Sequence, residues 1–225
     1  MVHFANEMMQ DKGESLKNKR CLIIGAGKVA RSVATKLLEF GAIPLTFSDS
    51  SGHVYEPNGI DQAKLKTIDK IKDGERGALL GRYVIASTTA QFNDPPNILD
   101  VPCDLCFPCA AMNDITEEAA TTLADNGCMA VVEGGYSTVT PEGRTILKKR
   151  GLAYGPHTLT MTGSVIKSVI KPNAGDEVFA SEIARIYKDT KNTAQEFNAR
   201  GDLYVGANIS GFLRVANAML AHGAV

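Results

Sequence analysis

The stretch Cys21-Leu-Ile-Ile-Gly25-Ala-Gly27-Lys-Val-Ala30 decides the fold. Cys21 to Ile24 is a short apolar run, the pattern of a buried strand. A glycine-bearing turn follows at once. Apolar residues then recur at Val29, Val33, Leu37 and Leu38, which is the spacing of one helical face over Val29 to Phe40. Gly41 stands where a helix C′ residue should. Within this strand–turn–helix frame the small residues gain meaning. Gly25 permits the tight turn, Gly27 lets a pyrophosphate approach the backbone, and Ala30 is small enough for the helix to meet the strand. The free N–H groups of the helix then face the phosphates of a bound nucleotide.

The alternation continues outward. Ile43 to Phe47 reads as a second strand and Ile60 to Lys72 as a polar helix. Val84 to Ser87 and Asp104 to Phe107 read as strands. Thr116 to Asn126 is a helix with a Thr cap and with Glu117 and Glu118 in its first turn. Met129 to Val132 is a strand, Pro141 to Arg150 a helix capped by Thr140 with Pro141 at N1, and Leu152 to Tyr154 a last strand. This order over residues 21–155 predicts an α/β fold, a doubly wound parallel sheet of Rossmann-like type covered on both faces. Residues 175–200 and 207–222 read as helices, and Pro172 disfavours one continuous helix before them. Ile209, Phe212, Leu213, Ala216, Met219 and Leu220 fall on one stripe. The chain thus divides into a helical tail (1–20), a dinucleotide-binding domain (21–155) and a helical C-terminal segment packed on it (156–225).

The second strand ends in Ser48-Asp49-Ser50-Ser51-Gly52. An acidic residue about 20 positions past the glycine motif usually binds the adenine ribose hydroxyls, and Asp49 is placed to do so. Ser50 and Ser51 offer hydroxyls suited to a ribose phosphate, and Lys64 and Lys66 are the nearest bases. The cofactor expected is therefore NADP, with NAD the other candidate.

Composition narrows the function classes. The 225 residues carry 24 Lys+Arg and 25 Asp+Glu, a net charge of −1, so no broad electrostatic footprint for nucleic acid exists. No apolar run reaches the ~18–20 residues that span a bilayer. Met1 to Arg20 mixes both charge signs without an apolar core, which argues against a secretory signal. Five scattered cysteines suit reduced thiols in the cytoplasm or in a mitochondrial or other organelle matrix. In Cys103-Asp-Leu-Cys106-Phe-Pro-Cys109, strand alternation would put Cys103 and Cys109 on one face and Cys106 on the other, so no metal site is expected. His53 reads as a surface turn residue, and His3, His157 and His222 show no metal spacing. No nucleophile elbow or Cys/His pair stands out, and no residue is assigned as catalytic.

Several of these motifs, in order, resemble one family. They are Val2-His-Phe4, Lys19 to Ala30, Ser48 to Tyr55, Val101 to Asp104, Phe107 to Ala110, Ala124 to Gly127, Val132 to Gly134, and Gly206 to Ala216. The chain resembles the C-terminal, cofactor-binding domain of NADP-type glutamate dehydrogenases in the Glu/Leu/Phe/Val dehydrogenase family. The resemblance implies a phosphate loop of Gly25, Gly27, Lys28, Val29 and Ala30, with Lys28 where relatives usually have Asn. It implies that Asp49 and Ser50 serve the adenosine end, and that Cys109, Ala110 and Asn113 reach toward the cofactor's ribose, with Met112 replacing the usual Gln. Relatives follow Glu133-Gly134 with Ala-Asn, whereas this chain has Gly135-Tyr136, and the bulk of Tyr136 would fill nicotinamide space. Relatives carry Asn-Ala-Gly-Gly-Val where this chain has His157 to Ser164, and Ser164 or Ser168 would match their substrate-facing Ser. In the family the catalytic Lys and Asp belong to a substrate domain preceding this one, and residues 1–20 resemble the connecting helix. The expectation is a cofactor-binding or structural subunit of a larger assembly, not catalytic alone, that meets another protein or a second copy through the 204–222 helix. The alternative is the cofactor half of an active NADP-dependent glutamate dehydrogenase whose substrate domain is supplied elsewhere.

Overall fold

The structure, a computed structural model, describes residues 1–74, 78–169 and 175–223; Pro172 lies outside the described residues. Helix α1 (Val2–Gln10) leads to strand β1 (Arg20–Ile24) and helix α2 (Lys28–Glu39). Next come β2 (Ile43–Pro44), β3 (Thr46–Asp49), β4 (Gly52–Tyr55), α3 (Gln62–Gly74), α4 (Tyr83–Ala86) and β5 (Gln91–Phe92). Then β6 (Leu105–Pro108), α5 (Glu117–Asp125), β7 (Ala130–Val132), α6 (Pro141–Lys149) and β8 (Ala153–Gly155) alternate. Four helices close the chain: α7 (His157–Thr160), α8 (Thr162–Val169), α9 (Asp176–Glu196) and α10 (Leu203–Ala221).

Five strands form a parallel sheet in the order β2-β1-β6-β7-β8. Side-chain alternation builds both faces of the core. Cys21, Ile23, Leu105, Phe107, Ala130 and Val132 point one way, onto α1, α2 and α9. Leu22, Cys106 and Val131 point the other way, onto α5 and α6. That is the doubly wound arrangement the strand–helix alternation predicts. The chain reverses direction across the sheet between β1 and β6. Such a switch point opens a crevice at the strands' carboxyl ends, where ligands of open α/β sheets bind.

The strand read over 43–47 divides. Only β2 joins the parallel sheet. β3 leaves it to form an antiparallel sheet with β4 and β5. Thr46 makes the break tolerable, because its hydroxyl accepts from Ile23 N and donates to Ile23 O, both at 3.0 Å. The strand read over 84–87 is helix α4 instead. Tyr83 is its one buried residue while Ile85 is 91% exposed, so the β-branched run Val84-Ile85 has no sheet to enter. His53 is buried on β4, not at the surface, and burial lowers its pKa. Cys103 precedes β6, so strand parity does not reach it. It joins Cys106 in the α5/α6 core, while Cys109 sits against the opposite one.

The helix caps form as the sequence implies. Thr116 Oγ1 accepts from Ala119 N at 3.3 Å and Thr140 Oγ1 from Gly143 N at 3.0 Å. Asp202 caps α10 through Val205 N at 3.1 Å. Phe4 and Tyr187 pack edge to face at 5.3 Å, and Tyr187 donates to Asp11 at 2.8 Å, which pins α9 to α1. In α10 only Leu203 and Gly206 are buried, while Phe212, Val215, Met219 and Leu220 stay exposed. Among the described residues no helix is long and apolar enough to cross a membrane.

Candidate functional site

The carboxyl ends of β1, β3 and β6 are tied into one corner. Gly25 N donates to Ser48 Oγ at 2.8 Å, Ser48 N donates to Gly25 O at 3.2 Å, and Cys109 N donates to Ile24 O at 2.8 Å. Gly25 has φ +108°, and a Cβ there would sit 3.2 Å from the Cys109 carbonyl carbon and oxygen. Only glycine meets both demands without strain. Gly27 is the opposite case. It is the N-cap of α2, with no side-chain cap, and a Cβ there would meet nothing within 4 Å. The first N–H groups of α2 therefore open onto free space, with the positive end of the helix dipole behind them. No acidic side chain occupies the first turn. Ala30 is fully buried against the sheet, Val29 is 49% exposed, and Lys28 is exposed beside the opening. An uncapped helix start that faces open space at a switch point suits a phosphate.

Asp49 ends β3 at one side of this corner. Its Oδ1 accepts from the Ser51 backbone N–H (2.9 Å) and hydroxyl (2.6 Å). Its Oδ2 accepts from Lys72 Nζ and Leu80 N, both at 2.8 Å. Burial raises its pKa, but the bonds from Lys72 and Ser51 outweigh that and hold it below the ordinary value. Four donors fill the lone pairs of this carboxylate. Ser50 is exposed at the tip of the β3–β4 turn. The base beside Asp49 is Lys72. Lys64 is committed elsewhere, to the buried Glu56 at 2.7 Å, and Lys66 lies exposed on α3. Glu56 also accepts from Tyr83, Ser87 and Thr89 at 2.6–2.7 Å. These bonds override the upward push of burial and keep its pKa low.

On the other side of the corner, Cys109 is half-buried and burial pushes its thiol up to about 12. A thiol held protonated at neutral pH is no nucleophile. Ala110, Met112 and Asn113 form an exposed loop after β6; Asn113 takes φ +62°, and its N–H donates to Ser137 O at 3.0 Å. Gly134 N and Gly135 N both donate to Pro108 O, at 2.8 and 3.2 Å, which holds the β7 end against the β6 end.

Sequence reasoning missed the group that organises this rim, Glu133. It is completely buried at the end of β7. Oε1 accepts from Val139 N (2.8 Å) and Thr138 Oγ1 (3.1 Å). Oε2 accepts from Tyr154 OH (2.8 Å) and His157 N (2.7 Å), and lies 3.1 Å from His157 Nδ1. Burial and this carboxylate drive the Tyr154 hydroxyl pKa far up. Tyr136 lies over the His157 ring at 4.6 Å between centroids and is 63% exposed, at the mouth of the rim. The available signal was a carboxylate directly after the apolar run Met129 to Val132. Ser164 and Ser168 donate back to carbonyls of their own helical stretch, Met161 O and Val165 O. Among the described residues no group of three or more His, Cys, Asp or Glu side chains is placed to hold a metal.

A doubly wound sheet with a glycine corner at its switch point defines a Rossmann-like domain. The chain belongs to the Glutamate/Leucine/Phenylalanine/Valine dehydrogenase family, whose model matches residues 1–223. An NADP-specific glutamate dehydrogenase of Chlorella sorokiniana is 40% identical over 237 aligned residues, covering 100% of this chain and 45% of that protein. One from Helicobacter pylori is 35% identical, covering 99% and 53%. The solved glutamate dehydrogenase 2 of Plasmodium falciparum superposes with a TM-score of 0.89 at 33% identity, covering 100% of this chain and 51% of that one. The chain spans about half the length of the relatives it matches.

Proposed function

We propose that this chain is a dinucleotide-binding domain, favouring NADP over NAD, that serves in a larger assembly and does not transfer hydride on its own. The observation that carries the reading is the corner itself: Gly25 locked against Cys109, and Gly27 open in front of an uncapped α2. Gly25, Gly27, Lys28, Val29 and Ala30 would cradle the pyrophosphate. Asp49 and Ser50 would serve the adenosine end, and Cys109, Ala110 and Asn113 the nearer part of the second ribose. The lean to NADP rests on Asp49, whose charge is paired with Lys72 and whose oxygens are already occupied, so it repels a 2′-phosphate weakly. Relatives named as NADP-specific glutamate dehydrogenases support the same lean.

The non-catalytic part rests on the β7–β8 rim. Tyr154 and His157 are engaged by Glu133, the Cys109 thiol stays protonated, and Ser164 and Ser168 bond within their helix. The Tyr154 proton is given to Glu133 and the Cys109 thiol is protonated, so neither stands ready as a base. The exposed apolar residues of α10 are the surface through which a partner protein or a second copy would be met. Reduced, mostly buried cysteines fit a reducing compartment.

A fluorescence titration with NADPH and NADH tests the binding. NADPH should bind more tightly, and Gly27→Val should abolish binding of both. Glutamate-dependent NADP reduction by the chain alone would overturn the non-catalytic part. A second reading, the cofactor half of a working glutamate dehydrogenase, is favoured by relatives about twice as long. The intact mass of the native protein separates the two, because a mass well above 24.0 kDa supports the enzyme.

A further inference from the structure

A cavity of about 350 Å³ lies away from the carboxyl ends of the sheet, beside β8 and between the end of α1, α6, α9 and the start of α10. Its size suits a small organic ligand. Its charge is unbalanced in a chain that is near neutral overall. Five cationic side chains, Lys12, Arg144, Lys148, Lys191 and Arg200, line it against two carboxylates, Asp11 and Asp202. The carboxylates are already used: Lys148 pairs with Asp202 at 2.8 Å, and Lys191 pairs with Asp11 at 2.5 Å. Lys12, Arg144 and Arg200 form no ion pair among the described residues, although the Arg144 charge helps hold the Asp202 carboxyl below its ordinary pKa. Arg144 is held over the ring of Tyr204, 3.8 Å from its centroid, so its fork is pre-positioned. Lys12 reaches the Met129 carbonyl, at 3.4 Å. Arg200 makes no ion pair among the described residues. Between these charges the wall is apolar, formed by Met8, Leu152 and Leu203.

We propose that this cavity is a binding site for a small organic dianion: a doubly charged head taken by Arg144, Arg200 and Lys12, and a compact apolar body seated on Leu152 and Leu203. Two guanidinium groups match the planar, bidentate demands of phosphate and carboxylate alike. A phosphate monoester and a dicarboxylate share this chemistry. The site is separate from the α2 corner and does not depend on whether a dinucleotide binds there.

Isothermal titration with phenyl phosphate, phthalate and inorganic phosphate tests it. One organic dianion should bind saturably, more tightly than inorganic phosphate, and equally well with saturating NADPH present. Tighter binding of phenyl phosphate marks a phosphate-ester site, and tighter binding of phthalate marks a dicarboxylate site. Arg144→Gln and Arg200→Gln should each weaken it about tenfold, the scale of one lost charge-assisted hydrogen bond. Arg200 is exposed and has no ion-pair partner among the described residues, so its variant keeps the fold and leaves NADPH binding unchanged. No saturable binding of either organic dianion up to about 10 mM overturns the proposal. So does unaltered binding in both arginine variants, or inorganic phosphate binding as tightly as the organic dianions.

Discussion

The two ends of the cleft are built from different materials. The α2 corner is made of backbone: glycine dihedrals, strand-end hydrogen bonds and a row of free N–H groups. The β7–β8 rim is made of side chains gathered on one buried carboxylate, Glu133. The first is open and holds unsatisfied donors on its surface. The second is closed and has satisfied its own. The difference teaches where a ligand's binding free energy can come from. The corner offers donors with no acceptor among the described residues, whereas the rim would have to break internal bonds before it bound anything.

Removing the carboxylate should have the largest effect. Glu133→Ala leaves Val139 N, His157 N, Tyr154 and Thr138 without their acceptor. A loss of about 3–5 kcal/mol is expected in urea unfolding. A loss under 1 kcal/mol would dissolve the contrast. Next comes Gly25→Ala, which forces a side chain into φ +108° against the Cys109 carbonyl, at a cost of roughly 1–3 kcal/mol. Thr140→Ala, which uncaps α6, should cost about 1 kcal/mol in the same assay. The smallest effect on stability belongs to Gly27→Val. It enters open space, so unfolding should shift by no more than about 0.5 kcal/mol while nucleotide binding is lost. A large destabilisation there would show that the corner is packed rather than open.

Acid sharpens the comparison. Asp49 and Glu56 both have folded pKa values below their ordinary ones. A depressed carboxylate lends stability that is fully present above the unfolded pKa, near 4, and lost as pH falls through the folded value. Urea midpoints should therefore hold steady from neutral pH down to about 5 and fall below about 4. Asp49→Asn and Glu56→Gln should each flatten that fall.

What the sequence revealed follows the same division. The corner was legible because glycine, small residues and helix periodicity act locally, within the ten residues from Cys21 to Ala30. The parallel sheet covered on both faces followed from the same strand–helix repeat. The rim was illegible because Glu133 draws its partners from Thr138 to His157, and no local pattern joins them. Strand length misled at Val84-Ile85, where β-branched residues stand on an exposed helical turn. Lys72 rather than Lys64 or Lys66 reached Asp49, because the end of β3 lies beside the last turn of α3, which spacing does not encode.

The most direct test of the account is thermal unfolding of the chain with and without NADPH and NADH. A ligand at about 100 times its Kd adds about 2.7 kcal/mol to the native state. In a domain of this size that raises Tm by roughly 5–10 °C. NADPH should give this rise, NADH a smaller one, and neither should shift Gly27→Val. No shift with either nucleotide in the unmodified chain would contradict it.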